Sequence, residues 1–185
     1  MNRASQSTLI RSNTIAIRAG SILLGLMLVA GTATSVRAQG QLASGTIGGT
    51  GSGPYVYSLT LSDAVGATSP IGSVWYAWVP GFFYLPGVPS SASAPAGWTA
   101  TISGNSIQYT ANSPANDITA GQSLSGFGYQ ATFSPAQLAA APNSGRSDAY
   151  SAGLFSDGGD IFTVQIVVVP EPSTLVLLIC GAIGL

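Results

Sequence analysis

The stretch YVYSLTL sets Tyr55, Tyr57, Leu59 and Leu61 at every second position. A period of two is what a strand with one buried face requires, because successive side chains leave a pleated backbone on opposite sides. The pattern recurs along the chain. Trp98, Ala100 and Ile102 alternate before Gly104-Asn105, and Ile107, Tyr109 and Ala111 alternate after it, which predicts a hairpin with a short loop. Phe127, Tyr129, Ala131 and Phe133 follow the same rule downstream of ITAGQSL. Residues 74–79 (VWYAWV) are apolar on both faces and run into Pro80-Gly81 and then FFYL, so they read as a buried strand, a turn and a second short strand. The most β-branched run, IFTVQIVVV at 161–169, follows the turn Asp157-Gly158-Gly159-Asp160 and predicts a final strand.

One helix signal interrupts the strands. Ser134 can cap, Pro135 suits the first helical position, Gln137 stands where a capping box needs it, and Pro142 ends the run of helix formers at 136–141. Roughly six to eight short strands with turn signals between them predict an all-β fold, an antiparallel β-sandwich with one short helix, since βαβ units would need regular helices. Residues 118–133 are similar to the turn-then-strand pattern of bacterial immunoglobulin-like and fibronectin-like domains, which implies an immunoglobulin-like sandwich. The expected β domain covers residues 55–169. Residues 39–54 (QGQLASGTIGGTGSGP) are Gly/Ser/Thr-rich and read as a flexible leader.

Composition limits the chemistry. The 185 residues include no His and, with every cation an Arg, no Lys. That removes a His general base, a Ser-His-Asp triad, a His-bound metal and a Schiff-base lysine. Neither a Gly-x-Ser-x-Gly elbow nor a Ser-x-x-Lys pair is present. Charged residues make up only 6% of the chain. Arg3, Arg11, Arg18 and Arg37 precede the β region, leaving Arg146 against Asp63, Asp117, Asp148, Asp157 and Asp160. Without a basic patch, nucleic-acid binding is excluded.

Both ends carry addresses. The first 38 residues have an Arg-containing start, an apolar run SILLGLMLVA at 21–30, and small residues leading to Ala38 before Gln39. This is the layout of a secretory signal peptide cleaved between Ala38 and Gln39, so signal peptidase and the general secretion machinery are implied partners. The run is about half the ~20 residues that span a bilayer. At the other end, residues 170–185 begin with two prolines, which stop any strand, and continue into LVLLICGAIGL at 175–185. Leu175, Val176, Leu177, Leu178 and Ile179 open an uncharged apolar helix that covers only about half of a ~30 Å hydrocarbon core. Cys180, the one cysteine, lies in this tail, so the β region forms no internal disulfide.

VPEPST at 169–174, directly before that apolar run and in a chain with a signal peptide, resembles the PEP-CTERM sorting signal of bacterial exported proteins. The resemblance implies that Pro170, Glu171 and Pro172 form a sorting motif read by an exosortase, a membrane-embedded transpeptidase-like processing enzyme. It also implies an exported location in the envelope or outside the cell, transient or permanent inner-membrane anchoring through the C-terminal segment, and contact with exopolysaccharide. The family's Arg-rich tail has no counterpart after the apolar run, which is read as truncation of a longer protein.

Two groups of residues invite a chemical reading of the β region. Asp157 and Asp160 could form a carboxylate pair for glycoside hydrolysis, or with Asp148 supply part of a Ca²⁺ shell, but they bracket a Gly-Gly turn where Asp commonly bonds nearby backbone N–H groups. Trp75, Trp78 and Trp98 could stack on a sugar, making the chain a carbohydrate-binding module, while core packing explains the same rings. The reading that follows is a non-enzymatic protein without cofactor or metal, whose β domain has a structural or adhesive role; the carbohydrate-binding module is the alternative.

Overall fold

A computed structural model describes residues 40–168, and they form an all-β fold with one short α-helix, as expected. The strands are β1 (Ala43–Thr50), β2 (Tyr55–Asp63), β3 (Ser73–Tyr76), β4 (Trp78–Val79), β5 (Phe82–Phe83), β6 (Ser91–Ser93), β7 (Trp98–Ile102), β8 (Ile107–Ala111), β9 (Ser123–Ala131), β10 (Arg146–Tyr150) and β11 (Asp160–Val167). The helix α1 (Pro135–Ala140) stands between β9 and β10. The signal peptide with Ala38 and Gln39, the motif Pro170, Glu171 and Pro172, and the apolar segment from Leu175 lie outside the described residues.

Nine strands join in one hydrogen-bonded sheet, in the order β6-β9-β2-β1-β11-β10-β3-β8-β7. Its two edges, β6 and β7, pack against each other, so the sheet curls back nearly into a barrel. A single curled sheet thus stands where two stacked sheets were expected. The sheet is also not purely antiparallel, because β1 pairs with β11 in parallel, Gly45 beside Val164 and Ile47 beside Ile166.

The leader reading of residues 39–54 is corrected by β1, which lies between β2 and β11 with Gly45, Ile47 and Gly49 turned inward. Its glycines serve close approach rather than flexibility. A Cβ on Gly49 would lie 2.6 Å from the Tyr57 ring and 2.9 Å from Pro135, and one on Gly45 would lie 2.9 Å from the Thr60 carbonyl oxygen.

The alternating residues fill the interior as their period demands. Tyr57, Leu59, Leu61, Phe127, Tyr129, Ile107 and Tyr109 are all buried. Tyr57 stacks on Tyr129 with 4.5 Å between ring centroids and donates its hydroxyl to the Phe133 carbonyl at 2.6 Å. Tyr109 donates to the Gly128 carbonyl at 3.1 Å. Each such bond keeps a buried phenol from losing the ~1–3 kcal/mol that an unmet polar group costs. The helix starts as predicted: the Ser134 hydroxyl accepts from the Gln137 N–H while the Gln137 side chain accepts from the Ser134 N–H. Leu138 then anchors α1 in the core.

The expected strand at 74–79 is broken at Ala77, which adopts φ 56° between β3 and β4. Two bonds hold this left-handed residue: its N–H donates to the Ser147 hydroxyl at 3.1 Å, and its carbonyl accepts from Tyr84 N–H at 2.9 Å. Beyond it the predicted turn at Pro80-Gly81 joins β4 to β5, with Trp78 opposite Phe83 and Val79 opposite Phe82.

Candidate functional site

The left-handed step at Ala77 returns Trp78 onto Trp75, and the two indoles stack 3.7 Å apart at 11°. Phe155, on the β10–β11 loop, meets both edge-on, at 5.4 Å from Trp75 and 5.5 Å from Trp78. Tyr150 meets Phe155 from the sheet side at 5.5 Å. Trp75 Nε1 donates to the Ser106 hydroxyl at 2.7 Å, which in turn donates to the Ser103 carbonyl at 2.6 Å. The result is a small second core outside the barrel wall.

Trp98 lies elsewhere, at right angles to Phe127 with 5.1 Å between centroids, and its Nε1 donates to the Asn116 carbonyl at 2.9 Å. The three indoles therefore do not share a face. They are 8%, 6% and 6% exposed for Trp75, Trp78 and Trp98. A sugar-stacking platform needs a bare ring face, so the glycan-binding reading of these tryptophans is corrected to core packing. The exposed aromatics are Phe82, Phe83 and Phe155. Only the last two are edge partners of Trp75.

The aspartates gather at the opposite end of β11 from its exit. Asp157 accepts from Gln41 Nε2 and Ser151 N–H through one oxygen, both at 3.0 Å, and from Gly159 N–H at 3.2 Å through the other. This is the turn chemistry expected of an Asp-Gly-Gly-Asp sequence. Burial works against its charge, yet these hydrogen bonds outweigh it and hold the carboxyl below the usual carboxylate range. Asp160 accepts from Ala43 N–H at 3.1 Å, and Asp63 accepts from Leu42 N–H at 2.9 Å. Together the two side chains tie the start of β1 to its neighbours.

Asp148, like Asp63, is buried with one carboxylate oxygen unpartnered, but its partner is a phenol. It stands on β10, with one oxygen accepting from the Tyr150 hydroxyl at 2.8 Å and the other, Oδ1, without a partner. Burial first, then repulsion from Asp160 and Asp157, push its carboxyl above the usual range, against the bond from Tyr150. Asp63 is raised as well, chiefly by burial and further by Asp160.

Among the described residues no three acidic, Cys or His side chains converge tightly enough to hold a metal ion. A depression bounded by Ala67, Thr68, Ser69, Pro70, Thr119 and Ala120 carries no ionisable group. No helix among the described residues is long and apolar enough to cross a membrane.

Sequence reasoning missed Phe155, Ser147 and Gln41. Phe155 follows Leu154 in a loop otherwise made of Ser, Ala, Gly and Asp, and that apolar pair was the only signal that it packs against something. Ser147 and Gln41 had none, since a buried hydroxyl or amide is defined by the groups it meets. No family model matches the chain, and neither a curated protein nor a solved structure matches it.

Proposed function

We propose that this chain is an exported bacterial envelope or matrix protein whose compact β domain has a structural or adhesive, non-catalytic role. In this reading its C-terminal residues form a sorting signal, with an exosortase recognising Pro170-Glu171-Pro172 while the segment from Leu175 enters the bilayer. The observation that carries the reading is the motif itself, placed one short step beyond the final strand β11 and directly before an uncharged apolar run.

The described domain supports the non-catalytic part. Its turn aspartates are committed to holding backbone N–H groups of their own fold. Its tryptophans are packed inside, and it has no His or Lys to move a proton near neutral pH. A domain of this kind acts through its outer surface and its stability.

Replacing Pro170, Glu171 and Pro172 together by Ala in the native host tests the sorting step. The expected outcome is an unprocessed product that accumulates in the membrane fraction. A variant processed and distributed like the parent contradicts the proposal.

A further inference from the structure

We propose that the end of the β domain from which the C-terminal segment leaves seats directly on a lipid bilayer, with Phe82 and Phe83 entering the interface; this rests on the reading of the C-terminal segment given above. The register fixes which loops share that end. β3 and β11 each pair antiparallel with β10, so both run the same way, and the β4–β5 hairpin leaves β3 at the end where β11 exits, folding over at Ala77 so that Trp78 lies on Trp75. Phe83 confirms the placement, because a Cβ on Gly104, in the β7–β8 loop at that end, would lie 3.6 Å from its ring.

Two independent patterns distinguish this end from the other. The first is charge. The segments that build it, 51–56, 77–91, 103–106, 131–145 and 165–168, contain no Asp, Glu, Lys or Arg, and the charge that borders them is the exposed cation Arg146, which opens β10. Four of the five described aspartates lie at the opposite end, where Asp63 closes β2, Asp160 opens β11, and Asp117 and Asp157 are in loops; Asp148 is buried in the middle of β10, opposite Ile161 on one side and Trp75 on the other. A strand such as β2, nine residues long, separates the two ends by roughly 25–30 Å. That is more than two screening lengths at physiological salt, so an anionic lipid surface at that end would feel little repulsion from Asp63, Asp117, Asp157 and Asp160; Asp148 is nearer, but buried beside Trp75.

The second pattern is apolar exposure. Phe82 is 61% and Phe83 52% exposed at the hairpin, and Val88, Val167 and Val168 are exposed around the same end. Val65 and Ile161 are exposed too, but at the acidic half, while Phe155, although it comes from the β10–β11 loop, packs on the same Trp75 that Phe83 touches. Aromatic and aliphatic side chains on an uncharged rim are the composition of an interfacial contact.

The occupant follows from the leash. Six residues, 169–174, separate Val168 from the apolar run at 175–185. Whatever their conformation, they reach no further than about 25 Å. A bilayer that holds the apolar run is therefore within a domain's width of the rim, and so short a tether gives an effective concentration on the order of mM, at which weak insertion of two phenylalanines suffices.

The test uses nitroxide labels on the full-length chain in phosphatidylcholine/phosphatidylglycerol vesicles: at native Cys180, at Phe83→Cys in a Cys180→Ser background, and at Val65→Cys in the same background. Oxygen collides with labels in lipid, and a water-soluble nickel chelate with labels in water. The expected result is a label at 83 that is open to the chelate before vesicles are added and several-fold less accessible afterwards, with the label at 65 open throughout. A label at 83 that stays in water while Cys180 is shielded overturns the seating and leaves the sorting reading intact. A label at 65 shielded by vesicles, or a label at 83 already shielded without them, also overturns it. A label at 83 in lipid with Cys180 in water supports the seating and counts against the C-terminal segment as the anchor; both labels in water reject both.

Discussion

Trp75 and Trp78 are three residues apart on what reads as one strand, yet their indoles stack face to face at 3.7 Å. In a continuous strand, residues at odd spacing point to opposite sides of the sheet. The contact exists because Ala77 takes φ 56° and turns the chain over.

Ala77 is thus a residue whose backbone, not its side chain, shapes the outer aromatic core. Ala77→Gly relieves a left-handed strain of about 1–2 kcal/mol but gives up a buried methyl worth about 0.8 kcal/mol and adds unfolded-state entropy. The expected net change is within about 1 kcal/mol of zero. Ala77→Val adds β-branching at positive φ with no room to place it, and should cost about 3 kcal/mol or more. Urea unfolding of the two variants measures the difference.

The stack also fixes what light will report. With all three indoles buried, tryptophan emission should be blue-shifted, resistant to iodide, and unchanged across a panel of soluble glycans. A red-shifted, iodide-sensitive emission that responds to one glycan would restore the carbohydrate-binding module.

Acid should affect this fold through two opposed groups. A carboxyl whose folded pKa stands above its unfolded value binds its proton more tightly in the folded chain, so Asp148 and Asp63 add stability as pH falls through their folded pKa, until the ordinary value of about 4 is passed. Asp157 does the reverse, contributing stability above the ordinary value and losing it below. Asp148→Asn removes a charge that faces Asp157 and Asp160 and keeps an acceptor for Tyr150. The variant is expected to unfold at a higher temperature than the parent at pH 7, and to gain less on going to pH 5. An equal gain in both chains contradicts the assignment to Asp148.

Much of this architecture was legible because it is local. The alternation at Tyr55, Tyr57, Leu59 and Leu61, the hairpin around Gly104, and the capping box of Ser134 and Gln137 each follow from residues close in sequence. What was not legible depends on distant partners. Gly45 and Gly49 look like a linker until Thr60 and Tyr57 are placed against them. The parallel pairing of β1 with β11 joins opposite ends of the domain, and periodicity carries no record of which strands meet. Ala77 has no sequence mark of left-handed geometry, because its cause is the hydroxyl of Ser147 from another strand. The tryptophans looked the same in either reading, since one apolar pattern serves a core and a platform alike.

In the proposed function the C-terminal residues are an address that is read and processed, leaving the β domain as the functional product. The mass of the C-terminal peptide of this protein, isolated from its own host, tests it most directly. The expected peptide ends between Pro170 and Ser173, or carries a covalent adduct there. A peptide that runs intact through Leu185 contradicts it, and would make the chain a permanently membrane-held protein.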